Sequence, residues 1–199
     1  GMRFAMERPF ILHMITPGKQ MSPFDINMAA DAGYQIIVPY CEADMKSVTS
    51  LTQDAIFSRG PKGVARTGIF IGGRDALVAA DMLEQSAKAM VPPFVVSVMS
   101  DPSGSFTTAA AMVACVEAAV KKTRPDGLKG LRVVVLGGTG PVGRIAGVLA
   151  AQIGADVVTF YDDTADGNPG ESAPFAREFR TPVLGEHDIE KPTLAPLFA

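Results

Sequence analysis

Tryptophan is absent from this chain of 199 residues, and cysteine and histidine occur only twice each. Cys41 and Cys115 each lie in an apolar stretch without a CxxC partner or a neighbouring histidine. That pattern predicts two buried thiols in a reducing compartment, with a disulfide or a reactive thiol as the lesser alternative. His13 and His187 are far apart and lack ligand spacing, so no metal site is expected. His13, inside the strand-like ILHMIT, is expected to be packed or hydrogen-bonded. Positive charge is also scarce. The chain has 18 basic and 21 acidic residues, a net charge of −3 and no basic stripe, which argues against a nucleic-acid partner. No run is long and uniformly apolar enough to predict a membrane span. The opening GMRFAMERPFILHMI is interrupted by Glu7 and Pro9 and does not read as a signal peptide; Gly1 before Met2 reads as a tag remnant.

The chain is not short of glycine, and one group of glycines is placed informatively. Residues 132–163 read RVVVLGGTGPVGRIAGVLAAQIGADVVTFYDD. Val133–Leu136 is a buried-type strand, and Val142, Ile145, Ala146, Leu149 and Ile153 recur at helical spacing. Gly154 is a plausible helix stop, and Asp156–Tyr161 reads as a second strand. Gly138, Gly140 and Gly143 fall in the G-x-G-x-x-G spacing of a dinucleotide-binding βαβ unit. Gly138 is expected to permit the tight turn. Gly140 would admit a pyrophosphate to the backbone, and Gly143 would let the helix lie close on the sheet. Helix-start amides and the helix dipole would hold the phosphates. The candidate cofactor-binding residues are therefore Gly138, Thr139, Gly140, Pro141, Val142 and Gly143. Asp162 joins them, 19 positions past Gly143, where an acid meets an adenosine ribose. Asp162, preferred narrowly over Asp163, favours NAD over NADP because a carboxylate repels a 2′-phosphate. A glycine turn with no ligand is the plain alternative.

Upstream, strand-like and helix-like segments alternate. Phe10–Ile15, Gln35–Tyr40, Thr67–Ile71 and Phe94–Met99 read as strands. Helices are predicted from Ser22, as cap, to about Ala32, and over Ser47–Phe57, Asp75–Met90 and Thr107–Lys122. Ser58–Lys62 and Asp101–Ser105 read as loops. This is an α/β chain with a parallel sheet covered on both faces. Punctuation at Thr123–Gly127 divides it into residues 2–125, an N-terminal α/β domain, and residues 126–199, a Rossmann-type domain. The second domain looks truncated. Beyond Asp163 no further strand is recognisable, although Ala173–Phe179 could form one or two helical turns. A small-molecule site is expected in a cleft where the two domains meet.

An ordered set of segments resembles the methylene-tetrahydromethanopterin dehydrogenases of methylotrophic bacteria and their methylene-tetrahydrofolate-using relatives. The segments are SPFD at Ser22–Asp25, DAG at Asp31–Gly33, SRGPK at Ser58–Lys62, TGIFIGGRD at Thr67–Asp75, PFVVS at Pro93–Ser97, DPSGSFTTAAA at Asp101–Ala111 and VVVLGGTGPVG at Val133–Gly143. The resemblance implies an N-terminal domain that binds a reduced pterin one-carbon carrier and a Rossmann domain that binds NAD(P). It also implies a cytoplasmic homo-oligomer that oxidises the methylene bridge to methenyl. NADP-preferring relatives carry a basic residue where this chain has Asp162-Asp163, so NAD is the expected cofactor and NADP the less expected.

Such a reaction needs no triad. Hydride leaves a carbon held between two nitrogens, and the enzyme must mainly position the donor. No catalytic residue is assigned. Carboxylates near the developing cation would help, which makes Asp25 and Asp101 the first substrate-binding candidates. Asp25 is equally explained as a first-turn acid, and Asp101 as a cap. Ser103, Ser105 and Thr107 could surround a pterin ring or belong to a solvated capping loop. Lys62, like Arg59, could hold a substrate anion or carbonyl, or be a plain surface charge. Methionines read as core filler.

Overall fold

The computed structural model describes residues 7–138, 140–161 and 183–185. Cα packing divides the chain into two compact units, Gly1–Ser103 and Gly104–Ala199. The strongest break in the sequence, Thr123–Gly127, lies further on, after the long helix that the packing assigns to the second unit.

The first unit holds β1 (Ile11–Ile15), α1 (Pro23–Asp31), β2 (Ile36–Tyr40), α2 (Met45–Phe57), α3 (Gly60–Val64), β3 (Thr67–Ile71), α4 (Ala76–Ala89) and β4 (Ser97–Ser100). The four strands are parallel in the order β2-β1-β3-β4. The order reverses between β1 and β3, the kind of switch point beside which α/β sheets bind ligands.

Local chemistry sets the helix starts. The Ser22 hydroxyl accepts from the Phe24 amide, and Pro23 occupies the tolerated first position. Asp44 and Ser47 form a reciprocal capping box, so α2 begins two residues before the predicted Ser47. Asp75 accepts from the amides of Leu77 and Val78 at the start of α4. Two loop expectations change. Ser58–Lys62 contributes to the short helix α3, and Pro102–Gly104 is a 3-10 turn. β4 starts at Ser97, three residues after the predicted Phe94.

Alternation in the strands separates two apolar layers. Ile15, Ile69 and Ile71 face α2, α3 and α4, joining Val48, Ile56, Val64, Ala79 and Met82. Within this layer the Thr52 and Ser86 hydroxyls pair at 2.8 Å, so neither polar group is stranded. Leu12 and Met14 face the other way, onto Met21 and Ala29, with Phe70, Ile37 and Tyr34 alongside. His13 bonds the Tyr40 hydroxyl at 3.0 Å, in keeping with a hydrogen-bonded histidine. Burial, aided by the nearby Arg59 charge, holds the imidazole below its ordinary pKa.

Arg59 closes the amino-terminal rim of this sheet. Its guanidinium donates to the carbonyls of Pro9, Gly63 and Arg66 and to the Thr67 hydroxyl. A cation shared among four acceptors of its own fold is held in place by them, and this ties its role to the structure of the rim.

The second unit holds α5 (Ser105–Lys121), β5 (Arg132–Leu136), α6 (Pro141–Gln152), β6 (Asp156–Tyr161) and β7 (Val183–Gly185). Its strands are parallel in the order β5-β6-β7. Ala109 and Val113 of α5 pack with Leu128 and Ala146. β7 corrects the expectation of no strand after Asp163. Val183-Leu184-Gly185 is three residues long, too short to show a period, and is fixed by pairing with Thr159–Tyr161. The segment Ala173–Phe179 lies outside the described residues.

Three further expectations are corrected. Cys41 and Cys115 are both exposed, not buried. Cys41 directly follows the edge strand β2, and Cys115 lies on the outer side of α5, where apolar neighbours in sequence do not mean burial. The 20 residues Pro102–Lys121 are long and apolar enough to cross a membrane by length and composition, because alanine raises the average despite Glu117 and Lys121. This is weak evidence by itself. Met28 and Met99 are 56% and 50% exposed and so are not core filler.

Replacing Arg59 by alanine would strand several carbonyls near the sheet rim. Arg59→Ala should cost about 2 kcal/mol or more of first-unit stability, read as a lowered midpoint in urea unfolding followed by circular dichroism.

Candidate functional site

On the α1 side of the first sheet, β1, β3, β4 and α1 enclose a cavity of about 300 Å³. Strand alternation builds its floor from Leu12 and Met14 of β1, Phe70 of β3, and Ser97 and Met99 of β4. Asp101, two residues beyond Met99, continues the same face. One helical face of α1 supplies the wall. Asp25, Met28, Ala29 and Ala32 stand at i, i+3, i+4 and i+7. Gly33, at φ +97°, then turns the chain so that Tyr34 returns onto the floor.

Asp25 and Asp101, paired as candidates from sequence, therefore share this cavity. Asp101 is 6% exposed. Burial and then the negative charge of Asp101 push the Asp25 carboxyl above its ordinary pKa. Among the described residues no hydrogen bond reaches the Asp25 carboxylate, the Tyr34 hydroxyl or the Ser97 hydroxyl. An apolar hollow with a few convergent, unsatisfied polar groups is the usual form of a small-molecule site.

The other substrate-binding candidates are not in its walls. Lys62 is exposed on α3, which packs on the opposite face of the sheet. The Ser103 hydroxyl donates to the Gly73 carbonyl at 3.3 Å, its backbone left-handed at φ 52°. Ser105 is fully buried at the start of α5, and exposed Thr107 donates to the Gly104 carbonyl at 3.4 Å. Tyr34, Ser97, Met28 and Met99 are cavity residues that sequence reasoning missed. The signal was present in Ser97-x-Met99-x-Asp101, whose alternation puts all three on one face, and in the spacing from Asp25 to Ala32.

In the second unit the glycines each do a different job. The left-handed residue of the turn is Gly137, at φ +70°, and not Gly138. A side chain at Gly138 would put its Cβ 2.5 Å from the Thr159 Cβ, so that glycine is needed for contact with β6. A Cβ at Gly143 would strike the Gly137 carbonyl oxygen, so the start of α6 seats directly on the turn. Gly140 is different. It caps α6 without a side-chain bond, and a Cβ there would meet only the Gly137 oxygen at 3.4 Å. Helix-start amides with no side-chain cap suit a phosphate. Pro141 and Val142 form the first turn of α6. Thr139 and Asp162 lie outside the described residues. The described residues contain no cluster of metal-ligating side chains.

Comparison with known proteins points to a family. Residues 23–103 match the family described as methylene-tetrahydromethanopterin dehydrogenase, N-terminal. An NAD(P)-dependent methylenetetrahydromethanopterin dehydrogenase of Methylorubrum extorquens is 55% identical over 153 residues, 77% of this chain and 52% of that protein. The bifunctional protein MdtA of the same organism is 39% identical over 137 residues, 69% of this chain and 46% of that protein. The chain thus spans about half the length of these curated relatives. Among solved structures, the M. jannaschii aspartate transcarbamoylase catalytic subunit aligns over 92% of this chain and 58% of that chain. Its identity is 9% and its TM-score 0.45, a likeness too low to bear on function.

The raised pKa of Asp25 has a measurable consequence. The folded state holds this proton more tightly than the unfolded state. The associated stability is present below the ordinary carboxylate range, about pH 4, and is lost as pH rises through the folded value. Asp25→Asn removes that slope. Urea unfolding across a pH series should show the variant gaining on the wild type as pH rises, with no gain at the acidic end.

Proposed function

The chain belongs to the methylene-tetrahydromethanopterin dehydrogenase family, and from that premise we propose that it takes hydride from a reduced pterin one-carbon carrier. The carrier is methylene-tetrahydromethanopterin or methylene-tetrahydrofolate, and the acceptor is NAD. The observation that carries the reading is the cavity on the first sheet. Its apolar walls suit a flat fused ring, and its two carboxylates suit a nascent cation. In the reaction a C–H bond of the methylene bridge breaks and its electron pair leaves with the hydrogen. The remaining carbon shares positive charge with its two nitrogens. Asp25 and Asp101 face that charge in surroundings of low polarity, where electrostatic stabilisation is strong.

The bound dinucleotide would supply the hydride-accepting ring. Gly140 and the uncapped start of α6 fit its diphosphate, while Gly138 and Gly143 keep the helix and β6 close enough to shape that cradle. Asp162 follows the last residue of β6 and supports NAD over NADP. A cytoplasmic homo-oligomer belongs to the same reading. The two free thiols support the first part, and the exposed Met112 and Val116 of apolar α5 support the second.

A second reading is that the chain binds pterin or nucleotide without completing hydride transfer. Mixing the protein with either methylene-pterin and NAD, and following reduced-cofactor absorbance, separates the two. Turnover should appear with NAD in preference to NADP. Gly140→Ala, which fits the fold, should abolish dinucleotide binding by crowding the diphosphate. Pterin binding by calorimetry with no turnover would favour the second reading, and absence of both would end the proposal.

A further inference from the structure

The cavity has polar groups at two ends, and only one end enters the proposed reaction. Gly68 of β3 pairs in register with Leu12 of β1 on one side and Ser97 of β4 on the other. A Cβ at residue 68 would fall 2.7 Å from the Tyr34 hydroxyl oxygen. The phenol therefore lies over Gly68, which raises no side chain from this face of the sheet, with Ser97 on the neighbouring strand. Among the described residues both hydroxyls lack a hydrogen-bond partner. Asp101 lies four residues after Ser97, about 13 Å along an extended strand. Asp25 stands at the Asp101 end, close enough to feel its charge.

The two ends differ in chemistry. A hydroxyl both donates and accepts, so a hydroxyl pair can satisfy a ring edge where a carbonyl adjoins N–H groups. Ionised carboxylates only accept, repel a carbonyl and attract positive charge. A ring that entered backwards would give its N–H groups to the acids but set its carbonyl beside them and turn the forming cation away from negative charge. We infer that Tyr34 and Ser97 are specificity-determining residues that orient the substrate ring by holding its amide-bearing edge, so that the reacting carbon faces Asp25 and Asp101. This rests on the pterin reading above and adds to it the ring's direction and the residues that set it.

The test uses the full chain and two reduced probes, 6-methyltetrahydropterin and unsubstituted tetrahydropteridine, titrated anaerobically by calorimetry. The second probe lacks the ring carbonyl and the exocyclic amine. Tyr34→Phe and Ser97→Ala each delete one oxygen. Each should weaken 6-methyltetrahydropterin about three- to tenfold, the worth of one neutral hydrogen bond. Binding of the unsubstituted probe should stay as in the wild type. Wild-type affinity for the pterin in both variants would overturn the inference while leaving the pterin site intact. So would equal losses on both probes, the sign of a merely structural role. Failure of the wild type to bind either probe would remove the pterin reading itself, and this inference with it.

Discussion

A parallel sheet is apolar on both faces, and each face must be covered. In the first unit three helices pack over one face, while α1 alone packs over the other and covers its β1–β2 half. The cavity is the uncovered remainder on the β3–β4 side. It is bounded by a helix whose inward stripe ends in Ala29 and Ala32, residues too small to fill the space. The same shortage of cover exposes Met28 and Met99 and leaves Asp25 half-buried beside a second carboxylate. The site's polarity, its room and its electrostatic tension all follow from that single imbalance in layering.

Much of this was legible from residue order. Ser22-Pro23 starts α1, Asp75 starts α4, and Asp156–Tyr161 is a strand to the residue. In each case the determinant is local: a cap, a fixed φ or an alternation. The sequence also singles out Asp25 and Asp101, which share the cavity, because one opens a helix and the other ends a strand in segments with a family likeness. What escaped depends on distant pairing. Three residues at Val183–Gly185 carry no period, and only the partner strand defines them. Arg59 could not be recognised as structural because its acceptors come from Pro9 and from residues 63–67, across a fold that spacing does not reveal. Tyr34 was overlooked because it follows a glycine turn, and the direction of its return onto Gly68 is a tertiary fact.

The glycine turn teaches a related lesson. The sequence motif weights three glycines alike, yet the backbone assigns four distinct tasks. Gly137 supplies the left-handed bend, Gly138 yields to Thr159, Gly143 yields to the turn itself, and Gly140 among the described residues meets only the Gly137 oxygen at 3.4 Å. A glycine whose missing side chain would make only an ordinary contact has little packing reason to be one. That is why Gly140, more than its neighbours, speaks for a ligand.

Arg59 gathers its carbonyls at the rim where the strands begin, whereas Asp101 and the turns at Gly72-Gly73 sit at the rim where they end. The Arg59 anchor and the Asp101 carboxylate are thus lodged at opposite ends of one sheet. Such a separation lets the loops beyond the strand ends change around the acids while the anchored end keeps the scaffold, and the hydroxyls beside it, in place.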